Sequence, residues 1–232
     1  MITWLRSALF MVWFLTITTI LSLVFLPVLA LPRSATVWLA RMWSRITFWG
    51  LKVFAGIRWE IRGMPPKSAV LVASKHMSMW DTMALYLALD EPATVLKREL
   101  LYIPFYGWFL WKGTAIAIDR SAGASALRKM SHAAQGVLGE GRPILIFPEG
   151  TRKKPGAAPD YKPGVAGLYV MLGVECVPVA LNSGVYWTGF LKRPGTIVLE
   201  FLEPIAPGMK RPAFMTLLEE RIEAATNRLL AP

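Results

Sequence analysis

The sequence predicts an α/β fold: a mixed β-sheet flanked by helices, preceded by an N-terminal membrane-embedded two-helix element. Three observations lead there. From Ile57 onward, short apolar runs alternate with stretches of helical periodicity, which is the signature of α/β layering. Before that point, Ser7 to Pro32 form 26 consecutive residues without a charge, rich in Leu, Ile, Val, Phe and Trp. The 232 residues are 54% hydrophobic with a mean hydropathy of +0.43, too apolar for an ordinary soluble domain and too mixed for a bundle of spans. One sizeable domain plus an appended element fits that length, so residues 1–55 read as anchor and 56–232 as the globular domain.

As a helix the uncharged run is about 39 Å long against a hydrocarbon core of roughly 30 Å, so it either spans with tilt or bends at Pro27. A cleaved secretory signal competes, since Val28-Leu29-Ala30 resembles a cleavage site. Against it, the run is far longer than the roughly 7 to 15 residues of a signal core, and only Arg6 precedes it. A second helix is expected over Ser34 to Ala55, with Ser34 as its N-cap. Arg41, Arg45 and Lys52 fall within about 40° on its wheel, beside a face of Trp38, Met42, Trp49 and Val53. That is an interfacial pattern; a helix packed on the domain is the competing reading.

Charge supports the membrane reading. Residues 1–67 hold eight basic side chains against Glu60 alone, +7 of the total +11, while residues 68–232 contribute only +4. The excess therefore lies beside the apolar run, where it meets anionic headgroups. By the positive-inside rule the globular domain faces the cytoplasm, at the inner membrane if the source is bacterial. A nucleic-acid partner would require a basic stripe on the domain, which the sequence lacks. The single cysteine, Cys176, permits no intrachain disulfide and reads as a small core residue.

Candidate strands are Ile57 to Ile61, Ala69 to Ala73, Thr94 to Leu96, Thr114 to Ile118, Ile144 to Phe147, Cys176 to Ala180 and Thr196 to Phe201. Candidate helices are Thr82 to Leu89, Ser125 to Leu138, Val165 to Leu172 and Pro212 to Leu230. The last repeats Phe214, Leu218, Ile222, Ala225 and Leu229 along one face. Pro104 to Trp111, rich in Trp and Phe, offers a second apolar contact for bilayer or acyl chain, with ordinary core as the competing reading.

Of two histidines, His132 points away from its helix's apolar face and reads as solvated. His76 follows a strand and precedes Asp81 by five positions. Contact between them requires His76 in a loop and Asp81 at the start of the next helix. A carboxylate behind a histidine fixes its tautomer and stabilises the imidazolium, so the histidine can take a proton from an alcohol. Alone, the spacing fits a structural helix cap better than a catalytic pair. Further on, Phe147-Pro148-Glu149-Gly150-Thr151-Arg152 leaves a strand, where an Arg past a glycine turn can grip a phosphate bidentately and the Thr151 hydroxyl adds a donor. A tight turn with a solvated Arg is the competing reading.

Together these segments resemble the 1-acyl-sn-glycerol-3-phosphate acyltransferases of the glycerolipid acyltransferase family. All four of that family's sequence blocks are matched in order over roughly residues 57 to 205: His76 to Asp81; Lys97-Arg98-Glu99-Leu100 with Pro104, Gly107, Gly113 and Ile118-Asp119-Arg120; Phe147 to Arg152; and Val177 to Asn182. The resemblance implies that His76, oriented by Asp81, deprotonates the sn-2 hydroxyl of lysophosphatidic acid for attack on acyl-CoA or acyl-carrier protein, giving phosphatidic acid. It assigns the acceptor phosphate to Glu149, Gly150, Thr151 and Arg152, with Lys97 and Arg120 as weaker candidates. No metal site and no cofactor beyond the acyl thioester co-substrate are expected. Other acceptors, such as another lysolipid or glycerol 3-phosphate, and a non-catalytic lipid-binding adaptor are the alternatives; an intact base argues against the last.

Overall fold

The computed structural model describes residues 1–113, 115–119 and 123–231. Two long helices come first, α1 (Ile2–Val24) and α2 (Arg33–Gly50), joined through a 3-10 turn at Leu26–Ala30 that contains Pro27. The chain thus bends at Pro27. Pro32, whose ring fixes φ for helix entry, occupies the N-cap of α2, and Ser34 lies inside the helix without a capping role. A π-turn at Leu51–Ala55 ends on Gly56 in the left-handed conformation.

The remaining elements are β1 (Ile57–Arg62), β2 (Leu71–Ser74), α3 (Met79–Ala88), β3 (Ala93–Lys97), α4 (Tyr106–Lys112), β4 (Ile116–Ile118), α5 (Gly123–Gly139), β5 (Ile144–Ile146), α6 (Gly164–Leu172) and β6 (Cys176–Leu181). They are followed by α7 (Ser183–Tyr186), a two-stranded ribbon β7 (Trp187–Thr188) and β8 (Leu191–Lys192), then β9 (Gly195–Phe201) and α8 (Arg211–Leu230). Among the described residues, seven strands form one sheet in the order β1-β9-β6-β2-β5-β3-β4. Strands β2 to β6 run parallel, β9 pairs antiparallel with β6, and β1 pairs parallel with β9, so the sheet is mixed. Five parallel strands therefore deliver their C-terminal loops to one edge, where open α/β sheets bind ligands.

Alternate residues of each strand feed two cores. Val72, Leu145, Val177 and Val179 face a cluster with Trp80, Met83 and Leu85 of α3, while Leu71, Ala73, Ile144 and Ile146 face Met130, Leu168, Phe214 and Leu218 of α5, α6 and α8. The first cluster also contains Phe10, Phe48, Leu51 and Ala55. Composition changes at residues 55/56, but packing crosses that line. Ser7 accepts from the Lys192 amide at 2.8 Å, Arg41 donates to the Leu89 carbonyl at 3.0 Å, and Arg33 pairs with Glu91 and Glu140. Both ends of the helical hairpin are thereby tied to the domain. The outward face of α1 stays uncovered, with Leu9, Val12 and Leu15 about half exposed, and α1 is apolar enough to cross a membrane.

Candidate active site

β2 ends at Ser74, and the next residues turn over the C-terminal edge of the sheet. The Lys75 amide donates to the Val179 carbonyl of neighbouring β6, fixing where His76 leaves the sheet. Ser78 then caps α3, its hydroxyl accepting from the Trp80 amide, while Asp81 closes a reciprocal capping box. Asp81 caps the helix and contacts the histidine at once. One carboxylate oxygen, Oδ2, takes the Met77 and Ser78 amides at 2.7 and 2.8 Å and the His76 Nδ1 at 2.9 Å. The other, Oδ1, lies 3.0 Å from the Ser78 hydroxyl and accepts from the Ser183 hydroxyl. Asp81 is fully buried, whereas the His76 side chain keeps 12% of its surface exposed. With Nδ1–H given to Asp81, the other ring nitrogen carries the lone pair available to an alcohol.

β5 is the neighbour of β2 on the side away from β6, so the loop after it arrives beside His76. Phe147 stacks on the imidazole with ring centroids 3.9 Å apart, and the Lys153 amide donates to the His76 carbonyl at 2.8 Å. The turn depends on Gly150, whose φ of +66° disfavours any side chain. Thr151 and Arg152 beyond it are exposed, and among the described residues none forms an ion pair with Arg152. His76 and the cationic loop therefore share one edge of the molecule.

Glu149 points elsewhere. Its buried carboxylate receives the Lys75 ammonium at 3.0 Å, and its Oε2 has no hydrogen-bond partner among the described residues. Lys75 also pairs with Glu223 of α8 at 2.7 Å, and Tyr161 donates to the same Glu223 oxygen. Burial pushes the Glu149 carboxyl above the usual carboxylate range, outweighing the pull of Lys75. One ammonium between two carboxylates neutralises one of them, and Glu149 is the less solvated. Sequence reasoning missed Lys75, Ser78, Ser183, Tyr161 and Glu223. Two of these had a local signal: Lys75 adjoins His76, and Ser183 follows the fourth block directly.

The second block lies farther along the same edge. Lys97 ends β3, exposed and paired with Glu99, and Arg98 pairs with Asp119. Gly107 is required because a Cβ there would meet the Leu101 carbonyl oxygen at 2.1 Å. Arg120 lies outside the described residues. The fourth block is β6 itself, under the histidine loop, and Asn182 there bonds the Val198 amide and the Leu229 carbonyl.

An acyltransferase family model matches residues 58–182, more than half of the chain and both of these loops. The chain belongs to the acyltransferase family. It is 38% identical over 193 residues to the 1-acyl-sn-glycerol-3-phosphate acyltransferase of Pseudomonas aeruginosa, covering 82% of this chain and 75% of that one. It is 32% identical over 165 residues to 1-acyl-sn-glycerol-3-phosphate acyltransferase alpha of Mus musculus, covering 67% of this chain and 57% of that one. The crystal structure of the 1-acyl-sn-glycerophosphate (LPA) acyltransferase from Thermotoga maritima superposes with a TM-score of 0.79 over 98% of this acyltransferase and 97% of that chain, at 22% identity, so the fold is shared.

Proposed function

We propose that this acyltransferase moves a fatty acyl group from acyl-CoA or acyl-carrier protein to the sn-2 hydroxyl of lysophosphatidic acid, giving phosphatidic acid. The observation that carries this is the His76–Asp81 contact directly beside the loop that presents Thr151 and Arg152. The relatives' names supply the acceptor. His76 takes the hydroxyl proton on Nε2 as the alcohol oxygen attacks the thioester carbonyl. The tetrahedral intermediate collapses, the C–S bond breaks, and the leaving thiolate recovers that proton from the imidazolium. General-base help of this kind contributes about 10² to 10⁴ in rate. No cysteine nucleophile is needed, and Cys176 is buried. Arg152 and Thr151 hold the acceptor phosphate, with Lys97 as a more distant cation on the same edge.

The apolar outer face of α1 sits in the bilayer. With both ends of the hairpin tied to the domain, α1 occupies one leaflet rather than crossing to the far side. Arg45 and Lys52, exposed on and just after α2, meet anionic headgroups, which supports a catalytic edge on the cytoplasmic face. The test is conversion of lysophosphatidic acid plus acyl-CoA to phosphatidic acid by purified protein in liposomes, with a panel of thioester donors and acceptors. His76→Ala is expected to abolish turnover with an unchanged melting transition; full activity in that variant removes the base assignment.

A further inference from the structure

Tyr102 to Trp111 carry five large side chains that the fold leaves uncovered: Tyr102 at 71%, Ile103 at 44%, Tyr106 at 45%, Trp108 at 46% and Trp111 at 72% exposure. Single exposed apolar residues need no explanation, but five within ten residues form a patch. Within α4 only Gly107 is buried, so this helix is not core. We propose that α4 and the turn before it form a second membrane-contact surface, occupied by the lipid bilayer. The proposal rests on the membrane reading of the N-terminal hairpin given above and extends it to a different part of the chain.

Three observations select a bilayer as the occupant. First, the patch continues the hairpin's uncovered face: α4 packs against α2 and the Leu26–Ala30 turn, where Leu23, Val24 and Leu31 are themselves at least half exposed. An open cleft of about 370 Å³ lies at that junction, walled by Leu29, Leu101, Trp108 and Trp111. Second, its composition is that of the interfacial layer, where Trp and Tyr rings keep an apolar body in hydrocarbon and a polar edge among headgroups. Lys112 on the cleft rim supplies a cation at the matching depth. Third, α4 borders the reaction edge, since it follows β3, whose C-terminal end lies on the same edge of the parallel sheet as the loops after β2 and β5. A surface that holds α4 in lipid brings the phosphate-gripping loop to headgroup level, where a lysolipid presents its phosphate.

The patch is also held in shape. Phe105 adopts a φ of +62°, unusual for a residue with a side chain, and its ring packs on Trp108 at 5.1 Å. The Gly107 amide donates to the Ile103 carbonyl at 2.8 Å, closing the turn on the helix. The aromatic side chains therefore project from a fixed platform.

The test uses the full chain, whose only cysteine is buried with its thiol pushed up by burial and so resists labelling. Single reporters are introduced as Tyr102→Cys, Trp111→Cys, Val12→Cys on α1 and Glu220→Cys on α8, and each is labelled with an environment-sensitive fluorophore. The labelled proteins are mixed with phosphatidylglycerol-containing vesicles that carry a quencher on their acyl chains. Blue-shifted, quenched emission at positions 12, 102 and 111, with position 220 unchanged, is expected. Quenching at 12 with 102 and 111 left in water overturns the second surface and leaves the hairpin reading intact. Quenching at 102 and 111 without 12 does the reverse. Shielding of 102 and 111 without vesicles, rising with protein concentration, assigns the patch to self-association and overturns the proposal.

Discussion

Asp81 accepts hydrogen bonds from three side chains and two backbone amides, which leaves its carboxylate no freedom to turn. Asp81→Asn keeps the shape but offers an amide where His76 needs an acceptor, so the imidazole loses its enforced tautomer. A loss of turnover of about 10³ to 10⁴-fold with little change in acceptor KM is expected. Steady-state kinetics on vesicles check it. Ser183→Ala removes one buried donor to that carboxylate and should destabilise the fold by about 1–3 kcal/mol, read from denaturant unfolding. Lys75 is the harsher site, because its loss strands two carboxylates. Lys75→Met should cost about 3–5 kcal/mol. Glu149 adds a pH dependence. Its folded pKa is raised, so the native state keeps a proton that the unfolded chain gives up. Its stabilising contribution is present below the ordinary carboxylate range and is lost as pH rises through the raised value. Melting temperatures across that window should fall with pH in the parent and less so in Glu149→Gln.

At the level of elements, the helical hairpin has two faces with separate duties. Phe10 on the inner face is fully buried against Trp187, with ring centroids 5.6 Å apart and edge-on, and Lys192 lies under both rings. Phe10→Ala should therefore cost about 3–5 kcal/mol of stability, whereas Val12→Glu with Leu15→Glu, on the half-exposed face, should leave melting unchanged and release protein from sedimented vesicles. Removing residues 1–55 altogether would do both at once, since it opens the core. The seven main strands were legible because central ones such as β2, β5 and β6 are buried on both faces and read as short unbroken apolar runs between helices. The ribbon β7–β8 was not, because strands of two residues have no period. Nor was α4, whose apolar residues surround a helix of seven residues. In the site, His76, Asp81 and the loop to Arg152 were readable as local motifs. The Lys75–Glu223 pair was not, for its partners are 148 positions apart and only the fold brings α8 under the histidine loop.

The whole molecule is arranged in three layers, with α1, α2 and α3 on one face of the sheet and α5, α6 and α8 on the other. Its reaction edge is set by the parallel strands and runs beside the apolar hairpin. On the proposed membrane docking, the acceptor reaches His76 by diffusing in the plane of the bilayer, while the thioester headgroup comes from water. Two substrates arriving from two phases obey different concentration laws. Once the protein is bound, diluting vesicles at constant composition should leave the rate unchanged, because the acceptor's surface density is unchanged. Adding inert phospholipid at constant bulk acceptor should lower the rate in proportion to the acceptor's mole fraction. The donor should follow its bulk concentration throughout. A rate that tracks bulk acceptor instead would mean that the lysolipid is captured from water, and the uncovered faces of α1 and α4 would have no part in delivering it.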